Sequence, residues 1–234
     1  MTQRIALVTG ANRGLGFEIC RQLAQQGIQV ILTARNYNKG KMAAHALVQQ
    51  GYAVYVQQVD ITQPTQIQTL LNYIKTKFNR LDILINNAGI YIDQQQPALS
   101  ITSHNILQAV ETDVCGTFAM SQAVIPLMQK HNYGRIVNIS STSSLLANMN
   151  DDVGLAYKIC KTSINAITVV LANAVADYNI LINAATPGWI KTDMGGEQAP
   201  LSVQTGADTP VWLATLPDDG PNGGLFCQRQ RLSW

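Results

Sequence analysis

The chain has 234 residues, 47% of them apolar and 13% charged, with a formal net charge of +2. That length and composition allow one large domain or two small ones with a substantial core, and they exclude a disordered chain. The charge is too small and too evenly spread for a nucleic-acid surface, and no run of 18 apolar residues marks a membrane span.

Short apolar runs alternate with longer amphipathic ones along the chain. RIALVTG reads as a strand, and GLGFEICRQLAQQG follows with helical spacing and stops at Gly27. IQVILTAR is a second strand, with a helix near 38–50 after it. YAVYVQQVD is a third strand and 64–78 a helix; LDILINNAG is a fourth, followed by a long helix over 100–130. GRIVNISS is a fifth strand before a long helix over 153–177, and ILINAATPG is a sixth. A short helix near 202–215 and a last strand near 223–228 complete the chain. Strands separated by helices predict a parallel sheet with right-handed crossovers, and the near-continuous apolar strands predict a sheet covered on both faces. The expected architecture is a single-domain, doubly wound α/β (Rossmann) fold spanning 1–234, with about seven strands and its ligand at their carboxyl ends.

TGANRGLG, residues 9–16, joins the first strand to the first helix. Gly10 permits a sharp turn, and Gly14 and Gly16 let backbone amides approach a pyrophosphate at the helix N-terminus; a plain tight turn is the other reading. No Gly-Lys-Ser/Thr sequence closes it, so it is not a P-loop. The spacing G-x3-G-x-G after Thr9 resembles the short-chain dehydrogenase/reductase family. The end of the second strand is where a dinucleotide's adenosine ribose lies, and an acid there would repel a 2′-phosphate. This chain has Arg35 and no acid at that point, with Arg13 inside the glycine loop, so NADP(H) is expected over NAD(H). Arg35 facing solvent is the alternative. The resemblance implies that Asn12 and Leu15 share the glycine loop's contacts, and that Asp60 and Ile61 meet the adenine. Asp60 also reads as a helix N-cap, and both roles are compatible. NNAG, residues 86–89, is a family hallmark that brings Asn87, Ala88 and Gly89 beside the ribose.

Tyr157 and Lys161 are four positions apart, so on a helix both heads share one face. An ammonium beside a phenol favours its ionised form, and such a tyrosine can protonate an alkoxide near neutral pH. The resemblance implies that Tyr157 is the proton donor, that Lys161 tunes it and binds the cofactor ribose, and that Ser141 polarises the substrate oxygen. Ser140 and Ser143 are the alternatives to Ser141. In TPGWIKTDM, residues 186–194, the family's Pro-Gly loop holds the nicotinamide, which assigns cofactor contacts to Pro187, Gly188, Trp189, Ile190 and Thr192. One position departs: the family has asparagine where this chain has Asp113. The family uses that residue's backbone carbonyl to link the lysine to solvent, so Asp113 is the fourth candidate catalytic residue, and the relay is expected to survive through its backbone.

The implied function is an NADPH-dependent carbonyl reductase, reversible to alcohol oxidation, acting on a small carbonyl or alcohol substrate. The rivals are an NADP(H)-binding sensor without turnover and a same-fold epimerase or dehydratase. Tyr91, Ile92, Leu145, Met149, Trp189 and Met194 are candidates for an apolar substrate pocket, or for core or lid packing. The helices over 100–130 and 153–177 are apolar on more than one face, which predicts a homodimer or homotetramer through them. The short gap between Ser141 and Tyr157 lacks the insert of the family's monomeric carbonyl reductases. The start MTQRIALVTG has no leader pattern, so a cytoplasmic protein without a membrane or nucleic-acid partner is expected. Cys20, Cys115, Cys160 and Cys227 form no CxxC pair and are expected to be reduced and buried. His45, His104 and His131 show no ligand spacing, so no metal is expected.

Overall fold

Ile5–Val8 (β1) is buried along its whole length, as an apolar strand between two helical layers must be. It is the centre from which the chain winds twice in a computed structural model that describes residues 3–234. The first half adds α1 (Gly14–Gln25), β2 (Gln29–Ala34), α2 (Tyr37–Val48), β3 (Val54–Gln58) and α3 (Pro64–Phe78). The second half returns through β4 (Ile83–Asn86) to a long helical stretch. β5 (Gly134–Ile139), α6 (Leu155–Ala174), β6 (Ile180–Ala185) and α7 (Val203–Ala214) follow. With β7 (Leu225–Cys227) and β8 (Gln230–Leu232) at the end of the chain, the sheet order is β3-β2-β1-β4-β5-β6-β7-β8, parallel except for the last pair. Chain direction across the sheet reverses between β1 and β4, which opens a crevice beyond their carboxyl ends.

Local chemistry sets most boundaries. α3 starts with proline at its first turn and stops at Asn79, which takes the left-handed conformation (φ 54°), with Lys75 and Lys77 in the last turn facing the negative end of the dipole. α2 is capped by Asn36, whose side chain accepts from the Lys39 N–H at 3.0 Å. Two apolar clusters fill the space on either side of the sheet, one under α1, α2 and α7, the other under α3, α5 (Gly116–Lys130) and the end of α6. Arg135 of β5 is fully buried. Its guanidinium donates to the carbonyls of Gly134 and Leu216, to Asn179 and to the exposed Asp218.

Three sequence expectations need correction. The sheet has eight strands: β7 (Leu225–Cys227) turns into an antiparallel β8 (Gln230–Leu232). The turn is made by Gln228 and Arg229, both at positive φ (48° and 61°), a conformation usually signalled by Asn-Gly. The stretch expected as one helix over 100–130 is α4 (Ser103–Ala109), a π-helical segment (Val110–Cys115) and α5 (Gly116–Lys130). Of the cysteines, Cys20 and Cys160 are buried, but Cys227 is half-buried and Cys115 is exposed; all are free. The wide turn of the π segment carries Asp113 inward and leaves Cys115 on the outside.

α6 is long and apolar enough, by composition, to cross a membrane (mean hydropathy 1.3). Its apolarity has another use, because one side packs on β5, β6 and the π segment and buries Ala156, Cys160, Ile164 and Ala172. Ile159 and Val170 on the same helix remain exposed, as do Leu107 of α4 and Phe118 of α5.

Candidate active site

A cleft of about 780 Å³ lies along the carboxyl ends of the strands, lined by loops that follow β1 to β6. It contains every cofactor-contact and catalytic residue expected from the sequence except Asp113, which lies buried just behind it. The glycine loop forms its floor. Gly10 sits at φ +61°, and a Cβ there would come within 2.8 Å of the Ala88 backbone. The loop is tied to the end of β4: Asn87 Nδ2 donates to the carbonyls of Thr9 and Gly10, and Thr9 Oγ1 accepts from the N–H groups of Asn87 and Ala88. Asn87 and Ala88 therefore brace the turn that leaves room for a ligand's phosphates.

At the β2 end, Arg35 is exposed on the cleft wall, with Asn36 and Lys39 beside it and no acid among the lining residues there. Lys39 was missed in the sequence; its signal was its place one turn into the helix that begins behind Arg35. Arg13 of the glycine loop has a partner of its own. Arg13 and Arg35 both line the cleft, and the Arg13 guanidinium pairs with the exposed carboxylate of Asp193, while Lys39 stands beside Arg35 at the β2 end. Asp60 does not cap α3 either. Its carboxylate accepts from the N–H and hydroxyl of Thr62 (3.0 and 2.8 Å), while the cap position belongs to Gln63.

The Pro-Gly loop closes the other side. Thr192 Oγ1 accepts from the Gly195 N–H at 3.0 Å, and Trp189 Nε1 donates to the Gly195 carbonyl at 2.7 Å. Ile190 turns its side chain into the core, so only its backbone is available to a ligand. Of the proposed apolar pocket, Tyr91, Trp189 and Met194 line the cleft. Met149 lines a separate hollow against the outer face of α6, and Ile92 and Leu145 line neither. That hollow collects Met149 because the loop before α6 folds back over the helix's solvent side.

The candidate catalytic side chains converge at the start of α6. Tyr157 and Lys161 share one face, with Lys161 Nζ 5.4 Å from the Tyr157 ring centroid. Lys161 is buried; its Nζ donates to the Ile139 carbonyl at 3.1 Å and lies 3.5 Å from Asp113 Oδ2. That second contact is an ion pair, longer than an ordinary hydrogen bond, and Oδ2 has no closer partner among the described residues. Asp113 Oδ1 accepts from the Ile90 N–H at 2.8 Å. Thus Asp113 presents its carboxylate to the lysine. Burial pushes the Asp113 carboxyl up, against the pull of Lys161 and the Ile90 amide. Burial, the largest single influence, would lower Lys161, but the Asp113 carboxylate together with Tyr157 and Cys160 offsets it, and the net direction is upward.

The serines divide by role. Ser140 is buried, with its hydroxyl donating to Asn165 Oδ1 (2.7 Å). Asn165 Nδ2 donates in turn to Ser144 Oγ (2.7 Å), which donates to the Ser141 carbonyl (2.5 Å). This chain ties the serine turn to α6. Ser141 Oγ only accepts, from the Ser143 N–H at 3.1 Å, so its own proton is free on the cleft side. Among the described residues no group of His, Cys, Asp or Glu could hold a metal ion.

The model of the short chain dehydrogenase family matches residues 4–201. The chain is 33% identical to the (+)-neomenthol dehydrogenase of Arabidopsis thaliana, an alignment that covers 99% of this chain and 98% of the relative. It is 31% identical to carbonyl reductase [NADPH] 1 of Sus scrofa, over 99% of this chain and 94% of that one. Among solved structures, salutaridine reductase from Papaver somniferum superposes with a TM-score of 0.87 at 28% identity, over 96% of this chain and 99% of that one.

Proposed function

Because the chain belongs to the short chain dehydrogenase family, an oxidoreductase family acting on carbonyl and alcohol groups, we propose that it is an NADPH-dependent carbonyl reductase working through Ser141, Tyr157 and Lys161. The observation that carries this reading is one continuous cleft. It joins a basic, acid-free β2 end (Arg35, Lys39) to a tyrosine and a buried lysine at the start of α6. The cradle fits a dinucleotide: Gly10, at φ +61°, packs so closely on Ala88 that a side chain there would strike its backbone, and this tight turn leads into the N-terminus of α1, whose free amides suit a phosphate. Relatives whose names include NADPH support the same cofactor.

When bound, NADPH supplies the hydride that reduces the carbonyl carbon. Arg35 and Lys39 would hold its 2′-phosphate by charge-assisted hydrogen bonds, which an acid at this place would forbid. The backbone of the Pro-Gly loop, stiffened by Thr192 and Trp189, would fix the nicotinamide end. Ser141 donates its free hydroxyl proton to the substrate oxygen and steadies the negative charge that develops there. Tyr157 delivers the proton to that oxygen, and the positive charge of Lys161 stabilises the phenol oxygen as its proton leaves. Holding these groups on one helix and one anchored turn supplies the orientation that the reaction needs. We also propose that the exposed apolar faces of α4, α5 and α6 pair two or four copies of the chain.

The serine assignment separates this reading from its rivals. Ser141→Ala should lower turnover about 10²–10³-fold while NADPH still binds, as expected for loss of one oxyanion donor. Ser143→Ala should leave turnover near the wild-type rate. Equal losses in both variants would move the donor away from Ser141. NADPH binding without turnover on any carbonyl would favour a sensor.

A further inference from the structure

The start of α6 is poorly capped by its own sequence. Gly154 stands before it in the left-handed conformation (φ +69°) and offers no side chain to the helix amides. The cap comes instead from the loop after β4. Asp93, only 1% exposed, accepts the Ala156 N–H on Oδ2 at 2.6 Å. Two residues earlier, Tyr91 lies flat against Tyr157, with ring centroids 4.1 Å apart and planes inclined by 20°. Gly154 makes the room: a Cβ there would come within 2.7 Å of Tyr91 Oη. Further along, the Ala98 N–H donates to the Asp152 carbonyl at 2.6 Å, and Pro97 forms a bridge with Val153. One loop therefore grips residues 152–157 from several sides, and the only catalytic side chain in that grip is Tyr157.

We infer that Tyr91 is a positioning residue for Tyr157: an aromatic platform, anchored to the helix start by Asp93 and the Gly154 gap, that fixes the direction of the Tyr157 phenol. The inference rests on the catalytic reading of Tyr157. The side chain of Tyr157 leaves α6 in its first turn, where few neighbours on the helix itself can restrain the ring. Tyr91 covers one ring face, and Lys161 Nζ stands over the ring, 5.4 Å from its centroid. Together they leave the phenol a narrow set of directions into the cleft. The ring of Tyr91 does this work and its hydroxyl does not, because the observed contact is face to face.

The test compares Tyr91→Phe with Tyr91→Ala in the full-length protein with NADPH and a carbonyl that the wild type reduces. Loss of the platform should lower kcat roughly 10- to 100-fold, the scale of a misplacement of about 1 Å in a catalytic group. The NADPH dissociation constant, read by fluorescence, should stay within about threefold, and Tyr91→Phe should keep kcat within about threefold of wild type. Should the alanine protein fail to fold, Tyr91→Leu fills the space without a planar face and is expected to show the same loss of kcat. Unchanged kcat in the alanine or leucine variant overturns the inference, as does a phenylalanine variant as slow as alanine. Parallel loss of NADPH binding and kcat also overturns it, since that is the mark of a merely structural role. A wild type that reduces no carbonyl removes the catalytic reading itself, which a wild type that turns over does not.

Discussion

Replacing Asp113 with asparagine keeps the shape of the side chain and removes a negative charge 3.5 Å from Lys161 Nζ. At that separation the attraction is about 5 kcal/mol for an effective dielectric of about 20, before the cost of burying both groups is set against it. Burial pulls Lys161 toward the neutral form and Asp113 holds it charged, with the net direction upward. The sign follows. Lys161 is charged in the wild type until the pH rises through its raised folded value, and in Asp113→Asn burial is opposed only by the pulls of Tyr157 and Cys160. The basic limb of the pH–rate profile for reduction should therefore move to lower pH by at least about one unit, which is roughly 1.4 kcal/mol of the gross attraction. Turnover near pH 7 should stay within about tenfold of wild type, because asparagine still accepts the Ile90 N–H. The assay is kcat for NADPH-dependent reduction across pH 7 to 12, in parallel for both proteins. A basic limb that does not move would refute the coupling of carboxylate to lysine. A gain above tenfold at neutral pH would show that the aspartate impairs the relay instead of supporting it.

Other consequences follow from the same geometry. Arg35→Asp places an acid where the cleft now has none and should lower kcat/KM for NADPH about 10- to 100-fold, the worth of one or two charged hydrogen bonds, while sparing NADH; steady-state kinetics with both cofactors measures this. Arg135→Met strips hydrogen bonds from the carbonyls of Gly134 and Leu216 at the base of the sheet and should cost about 2–4 kcal/mol, read by urea unfolding. Light scattering at micromolar concentration should give the mass of two or four chains, and a monomer would count against the pairing of α4, α5 and α6.

The order of strands and helices was legible because parallel strands buried on both faces read as near-continuous apolar runs, as β1, β4 and β6 do, and in β5 only Arg135 and Asn138 interrupt the run. The glycine loop, Tyr157 and Lys161 were legible as spacings whose chemistry depends on a strand end or a helix face. What escaped was decided by contacts distant in sequence. β8 depends on Gln228 and Arg229 adopting positive φ, for which their side chains give no local signal. Arg13 has the right place and charge for a phosphate, but Asp193, far along the chain, takes its guanidinium. Asp113 was noted as a departure, yet only the π-helical turn that points its carboxylate at Lys161 gives the substitution an electrostatic meaning. Asp93 carried no signal at all: the cap it supplies to Ala156 spans 63 positions.

The most direct measurement is NADPH consumption against a panel of ketones, aldehydes and quinones, with Tyr157→Phe alongside and NADH as the second cofactor. The account predicts turnover with at least one carbonyl, a preference for NADPH over NADH, and loss of turnover in the phenylalanine variant with NADPH binding intact. Tight NADPH binding with no consumption on any panel member, or a Tyr157→Phe protein as fast as wild type, would contradict it.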